Sequence, residues 1–168
     1  KRNVTIVGPS GFGKSTLAAG LVRFLDISTG KYEIDSFPIA NISGQNVREK
    51  IVWATQDPWL SPGTIRDNMR MANSKVSDNE IEKVFKSLNA LDLLRTNEGL
   101  DKIVEIGAKN FSRGEQCKIS LARVLLSKHK VKIFDEPTAS LDSDSALSFL
   151  AQHNTQDKQN YSLLLTHE

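Results

Sequence analysis

The 168-residue chain has little of several features that mark specialised classes of protein. Its single cysteine, Cys117, cannot form an internal disulfide, and its three histidines lack the spacing of metal ligands. No run of 18 apolar residues is present that could form a membrane-spanning helix. Lys and Arg exceed Asp and Glu by only 22 to 20, so no net field favours nucleic acid or an anionic surface. Any anion-binding site must therefore be local.

The remaining composition, 39% apolar and 25% charged, is ordinary for a globular domain, and we expect a single domain over residues 1–168. Because Lys1 directly precedes an apolar run and no Met opens the sequence, we expect the chain to be cut from a longer polypeptide.

Short β-branched apolar runs alternate with helical apolar patterns along the chain. A parallel sheet buried on both faces has strands of this kind. The pattern therefore predicts an α/β fold with a helical lobe in its middle. The predicted elements are strands over 4–7, 50–55, 131–135 and 162–166, a helix after residue 14 whose apolar stripe runs to Leu25, and helices over 78–94 and 114–127.

The segment GPSGFGKST fits the pattern G-x-x-x-x-G-K-[ST] between a predicted strand and a predicted helix. Glycines let phosphate touch the backbone, whose N–H groups wrap it, while Lys14 reaches the terminal phosphates and the Ser15 hydroxyl meets Mg²⁺. A glycine-rich turn without a ligand is the alternative. The predicted phosphate-binding residues are Gly8, Pro9, Ser10, Gly11, Phe12, Gly13, Lys14, Ser15 and Thr16.

Two acidic residues, Asp135 and Glu136, come at the end of the predicted strand 131–135. Open α/β sheets bind ligands at the carboxyl ends of their strands. Transfer of a phosphoryl group to water needs an acid that holds Mg²⁺ and a base that activates the water, and these two carboxylates suit those tasks. Without the phosphate loop, such a pair is more often a helix cap or a solvated turn. Lys132 interrupts the strand, so we expect one face of it to be partly exposed.

Ser112 and Glu115 have the spacing of a capping box at the start of a helix. Arg113 lies between them, where a cation opposes the helix dipole. The helix start is therefore either an ordinary cap or a place that meets an anion.

Five motifs in this order, GPSGFGKST, ATQDP, FSRGEQCKISLARVLL, KIFDEPTASLD and LLTHE, resemble the nucleotide-binding domain of ATP-binding cassette (ABC) proteins. The resemblance covers essentially the whole chain. It implies a P-loop NTPase core of the RecA-like type with an inserted α-helical signature subdomain, and it implies ATP and Mg²⁺ as ligands. The core lobe would take approximately residues 1–57 and 128–168, and the helical lobe approximately 58–127.

The resemblance also implies a role for individual residues. Gln56 would bind Mg²⁺ and the attacking water, and His167 is similar to the switch histidine that contacts the γ-phosphate. Without the resemblance, Gln56 carries no signal and His167 is more often a surface histidine. The implied catalytic residues are Glu136, His167, Gln56 and Lys14; the implied metal ligands are Ser15, Gln56 and Asp135; Asp142 would be the acid of the loop that crosses to a partner subunit.

The segment FSRGE is similar to the ABC signature, whose usual form is L-S-G-G-Q and which binds the γ-phosphate held by the opposite subunit. Ser112, Arg113, Gly114 and Glu115 are therefore implied nucleotide contacts. Arg113 replaces the first glycine and Glu115 replaces the glutamine. We expect the Arg113 guanidinium to reach the phosphate directly, in a site that binds ATP well and hydrolyses it slowly. The alternative is that the side chain points away from the phosphate and has little effect.

The segments SPGTIRDNM and GLDKIVEIGAKNFS are similar to exporter domains, including the C subfamily. The implied function is ATP binding and hydrolysis that power export, at the cytosolic face of a membrane, with transmembrane domains and a second nucleotide-binding domain as partners and no nucleic acid. Pro58, Trp59 and Leu60 would contact the transmembrane domains; packing within the helical lobe is the alternative. Alternative functions are a degenerate regulatory cassette that hydrolyses ATP weakly, and an ABC ATPase that acts on DNA or ribosomes.

Overall fold

The computed structural model describes residues 3–34, 36–155 and 160–167. Within these ranges, no helix is both long and apolar enough to span a membrane. The helices and strands are β1 (Asn3–Val7), α1 (Lys14–Leu21), β2 (Glu33–Ile34), β3 (Phe37–Pro38), α2 (Gly44–Arg48), β4 (Ile51–Ala54), β5 (Gly63–Thr64), α3 (Ile65–Ala72), α4 (Asp78–Ser87), β6 (Ile103–Val104), α5 (Arg113–Leu126), β7 (Val131–Asp135), α6 (Ser143–Thr155) and β8 (Tyr161–Thr166). Short 3-10 helices cover Ile39–Asn41, Leu91–Leu94, Gly99–Asp101 and Ile106–Ala108.

A four-stranded parallel sheet in the order β1-β8-β7-β4 forms the centre of the fold. Its four strands are the four predicted ones, and every strand end lies within one residue of its predicted position. Val7 pairs with Thr166, and Asp135 pairs with Leu165. The carboxyl ends of β1, β7 and β8 therefore meet at one edge, where Gly8, Glu136 and His167 follow them. Two small antiparallel pairs, β2 with β3 and β5 with β6, lie outside this sheet.

Two predicted helices end earlier than their apolar patterns. The helix after residue 14 ends at Leu21, and Arg23 has a φ of 57°, so Leu25 lies outside it. The helix predicted over 78–94 ends at Ser87, because Asn89 takes a φ of 50°, and a separate 3-10 helix follows. A residue in this left-handed conformation ends an α-helix.

The helix α5 begins as its sequence predicts. The Glu115 amide donates to Ser112 Oγ at 3.3 Å, and the Ser112 amide donates to Glu115 Oε2 at 2.7 Å. This reciprocal pair is a capping box, and it satisfies two backbone donors that the first turn would otherwise leave unpaired.

Two groups of buried apolar residues hold the layers together. The larger one joins α3, α4 and α5 to the sheet and α6 through side chains such as Phe85, Ile119, Phe134 and Phe149. Phe134 and Phe149 meet edge to face, with ring centroids 5.1 Å apart. The smaller group packs α1, α2 and residues of the other face of the sheet, including Ile133.

The expectation for Lys132 is wrong. Its side chain is not partly exposed: the residue is only 3% exposed, and its Nζ donates to the Leu125 carbonyl at 2.7 Å. Burial lowers the pKa of Lys132 to about 8. The strand is covered here because α5 ends above it and supplies the carbonyl that accepts this hydrogen bond.

Candidate functional site

The loop between β1 and α1 curls back over the edge of the sheet. The Gly8 amide donates to the Thr166 carbonyl at 3.1 Å, which ties the loop to β8. Gly13 has a φ of 87° and forms the N-cap of α1, where its carbonyl accepts from the Leu17 amide at 2.8 Å. Glycine is the residue that adopts this left-handed conformation without steric cost, so the helix can begin directly under the loop.

A cavity of about 180 Å³ opens inside this loop. A Cβ atom placed on Gly11 or Gly13 would meet no protein atom within 4 Å, so the space beside both glycines is open to a ligand. Pro9 and the exposed Phe12 belong to the loop but do not line the cavity. The lining residues are Ser10, Gly11, Gly13, Lys14, Ser15, Thr16, Gln56 and Glu136.

Lys14 supplies the positive charge of this cavity. Its side chain is largely buried, and Nζ donates to the carbonyls of Gly8 at 2.6 Å and Pro9 at 3.1 Å. Nζ also lies 3.3 Å from Glu136 Oε1. The ammonium group is therefore held at the mouth of the loop by oxygen atoms on two sides.

Glu136 joins the phosphate loop to the end of β8. Its φ is 48°, a strained value for a residue with a side chain, and its amide donates to the Leu165 carbonyl at 2.9 Å. Its Oε2 lies 2.6 Å from His167 Nδ1. Burial alone would raise the pKa of Glu136, but hydrogen bonds from His167 and Lys14 outweigh burial and hold that pKa below its ordinary value.

Asp135, at the end of β7, has the properties of a metal ligand. It is 2% exposed, and among the residues that the structure describes its Oδ1 atom has no hydrogen-bond partner. Burial raises the pKa of Asp135, and a hydrogen bond with Ser15 opposes that rise. Together with the Ser15 hydroxyl and the Gln56 side chain, this carboxylate offers the oxygen donors that Mg²⁺ prefers. These residues fit the ion.

The signature residues do not line this cavity. Ser112 and Glu115 bond to each other in the capping box, and a Cβ on Gly114 would come within 2.9 Å of the Ser140 carbonyl, so only glycine fits there. Arg113 is not an unpaired cation. Its guanidinium forms an ion pair with Asp57 and donates to the Gln56 carbonyl at 3.2 Å.

Asp142 precedes α6 and caps it. Its Oδ1 accepts from the Ser145 amide at 2.9 Å, and its Oδ2 accepts from Lys118 Nζ at 2.9 Å. The hydrogen bond from Lys118 is the main cause that holds the pKa of Asp142 well below its ordinary value. The implied role of Asp142 at a partner subunit stays a prediction.

Sequence reasoning missed Asp57 and Lys118, the two partners of these charged residues. Asp57 stands directly after Gln56 in the quoted motif ATQDP, and Lys118 lies on α5. Each pair joins residues far apart in the chain, by 56 positions for Arg113 and Asp57 and by 24 for Lys118 and Asp142. No local pattern relates such partners, although an acid next to an implied site residue could have been noted.

The parallel sheet, the glycine loop that leads into α1 and the carboxylate pair at the strand ends define a P-loop NTPase. The sequence model of the family described as ABC transporter matches residues 1–139. The chain therefore belongs to the ABC transporter family, as the motif order predicts.

Several relatives carry the resemblance further. The chain is 37% identical over 153 residues to ABC transporter C family member 12 of Dictyostelium discoideum. The matched region covers 86% of this chain and 11% of that protein. It is 34% identical over 159 residues to the ATP-dependent lipid A-core flippase of Desulfotalea psychrophila. That match covers 90% of this chain and 28% of the flippase. The solved structure of a bacterial Atm1-family ABC exporter with ATP bound matches with a TM-score of 0.91 and 29% identity, over 99% of this chain and 30% of that one. The chain thus spans less than a third of each of these proteins.

Proposed function

We propose that this chain binds ATP, hydrolyses it, and so powers export as the nucleotide-binding domain of an ABC transporter. The observation that carries the proposal is the convergence of Lys14, Gln56 and Glu136 on one open cavity beside the buried, unpartnered Oδ1 of Asp135, within the residues that the structure describes. The exporter relatives support the coupling to transport.

The residues at the cavity have separate roles in binding phosphate, binding Mg²⁺ and activating water. Backbone N–H groups of the loop and Lys14 bind the phosphates of ATP. Ser15, Gln56 and Asp135 would hold Mg²⁺, which supplies charge neutralisation to the phosphates when bound. When a phosphate oxygen takes the place of Glu136 beside Lys14, Oε1 of Glu136 becomes available to accept a proton from water. The lowered pKa of Glu136 keeps it deprotonated at neutral pH, as a general base must be.

His167 orients that base, because its Nδ1 stays on the other carboxylate oxygen at 2.6 Å. Ser112, Gly114 and Asp142 do not line the loop cavity, so any nucleotide that they contact would be held by a second copy of the domain. Two domains would therefore close on ATP, each completing the site of the other. Separation of the copies after hydrolysis gives the motion that a transporter uses.

ATP binding is tested with Lys14→Ala in the intact protein. Because this change removes a charged donor to phosphate, we expect ATP affinity, measured by calorimetry, to fall by about 1.5–3 kcal/mol, or about 10- to 150-fold. Cysteines placed at Ser10 and Ser112 should cross-link two domains when ATP is present in the parent protein, and not in Lys14→Ala. The native Cys117 is buried and should not interfere. Equal ATP affinity in both proteins would refute the assigned site.

We propose that the transmembrane partner contacts the surface around Trp59. Trp59 is 61% exposed and Ile106 is 80% exposed at a cavity of about 260 Å³, whereas Leu60 is buried in the domain core. Exposed apolar side chains that line one cavity favour a protein partner. The Trp59 backbone is fixed beneath them, since Arg123 donates to its carbonyl at 2.6 Å.

A photo-reactive amino acid at position 59 tests this contact in the intact protein in its membrane. It should cross-link to transmembrane segments, and the same group at the exposed Leu147 of α6 should not. Equal cross-linking from both positions, or none from position 59, would place the partner elsewhere.

A further inference from the structure

Arg113 stands where the family signature usually has glycine, and its side chain turns toward its own chain. The guanidinium, which lies on the first residue of α5, forms an ion pair with the Asp57 carboxylate. The same Nη2 atom donates to the Gln56 carbonyl at 3.2 Å. The anion that the Arg113 side chain meets is therefore Asp57 of its own chain.

The exposure of this pair indicates what it does. The Asp57 side chain is 91% exposed and that of Arg113 is 48% exposed. Exposed ion pairs contribute little to folding stability because water screens them. The effect of this pair is therefore on geometry: it holds the backbone of residues 56 and 57 close to the start of α5.

The loop that it holds carries a residue of the cavity. The Gln56 side chain lines the cavity beside Ser15 and Glu136. The loop is also held from within, since Thr55 Oγ1 donates to the Asp57 carbonyl at 2.6 Å. Arg113 adds a contact to Gln56 and Asp57 from outside the loop.

The start of α5, from which Arg113 extends, is itself held in place by neighbouring residues. Gly114 packs so closely on the Ser140 carbonyl that a Cβ there would come within 2.9 Å of it. One turn further on, Lys118 Nζ binds Asp142 at 2.9 Å. The helix end is thus fixed against the segment that follows Glu136, and Arg113 extends that support to Gln56.

We propose that Arg113 and Asp57 form a positioning pair that holds Gln56 in place within the same chain, as a ligand-orienting contact of the ATP site. This inference rests on the proposed function. It replaces the expected contact between Arg113 and a phosphate of a second copy, because the guanidinium is already engaged by Asp57 and the Gln56 carbonyl.

The test compares Arg113→Gln, Asp57→Asn and the double variant in the intact protein, with Arg95→Gln as a matched control. Arg95 forms an exposed ion pair with Asp92 at 2.8 Å, away from the cavity. The first measurement is the Mg²⁺ concentration that gives half-maximal ATP turnover. Loss of a residue that orients a metal ligand typically costs 10- to 100-fold, so each single variant should raise this concentration by about tenfold, and the double variant should do no more. With Gln56→Ala as the background, neither change should add an effect.

The second measurement does not depend on activity. Amide hydrogen exchange of residues 55–60 without nucleotide should be faster in Arg113→Gln and in Asp57→Asn, to a similar extent, and unchanged in Arg95→Gln. An unchanged exchange rate in both site variants would overturn the proposal.

A different pattern would assign Arg113 to the partner's phosphate. In that case Arg113→Gln weakens ATP-driven pairing of the domains, while Asp57→Asn leaves the Mg²⁺ requirement unchanged. That result would overturn the positioning pair and leave the proposed function standing. Absence of ATP hydrolysis by the unmodified protein would instead refute the proposed function, and the exchange measurement would still decide whether the pair holds the loop.

Discussion

Single residues show how burial changes the chemistry of a side chain. Lys132 lies in the central strand β7, yet its ammonium group is covered and has the Leu125 carbonyl as its acceptor. Burial disfavours the charged form, and the pKa of Lys132 falls to about 8. The folded chain therefore carries a charge at neutral pH that the unfolded chain accommodates at lower free energy.

Because Lys132 is buried, the free energy of unfolding rises as the pH rises above about 8. Below pH 8 both states hold the proton, and the cost of the buried charge is fully present. Between about pH 8 and 10.4 the unfolded chain keeps the proton and the folded chain loses it, so stability rises with pH. Relative to Lys132→Met, the parent protein should gain about 2 kcal/mol between pH 7 and 9.5 in urea unfolding. Lys128→Met, which removes an exposed lysine, is the control. Parallel curves for the parent and Lys132→Met would contradict the buried charge.

The sequence predicts that Arg113 at the start of α5 meets an anion, but it gives no sign of the contact with Asp57. The dipole argument at Arg113 is local, whereas the partner Asp57 lies 56 positions away and is brought near by the fold. The contact between Glu136 and His167 has the same origin. The strands β7 and β8 are neighbours in the sheet, so the residues that follow their ends meet. Local pattern alone gives His167 no partner.

Strands and helices can be predicted from the sequence where an apolar pattern is typical of only one kind of structure. Buried parallel strands are short, β-branched and bounded by polar residues, and all four predicted strands are found. The helix α4 was predicted too long because Leu91 and Leu94 keep the apolar spacing beyond Ser87. They pack on the same core from a 3-10 helix, and the Ala90 amide bonds back to the Phe85 carbonyl at 2.8 Å. The apolar spacing predicts which residues are buried, but it does not predict the turn at Asn89 that ends the helix.

At the scale of the whole molecule, the sheet and the helical segment share one core. The group that contains Phe85 and Ile119 also contains Phe134, Phe149 and Leu164 from the sheet and α6. The division into a core lobe over 1–57 and 128–168 and a helical lobe over 58–127 stays a prediction. The side chains of α1, which follows the phosphate loop, pack in the smaller apolar group on the other face of the sheet.

The central claim is that Glu136 activates water for hydrolysis of ATP held in the loop cavity, and Glu136→Gln tests it most directly. The amide keeps the shape of the side chain but cannot accept the proton, and the Gly8 and Pro9 carbonyls still hold Lys14 in the phosphate loop. The measurement is the single-turnover rate of the intact protein at saturating ATP and Mg²⁺, with ATP affinity determined in parallel and the exposed Glu82→Gln as control. We expect ATP binding to be kept, with an affinity no lower than that of the parent, and a rate about 10²- to 10⁴-fold lower. A parent protein that hydrolyses ATP no faster than Glu136→Gln would contradict the account and indicate a regulatory cassette that binds ATP without efficient hydrolysis.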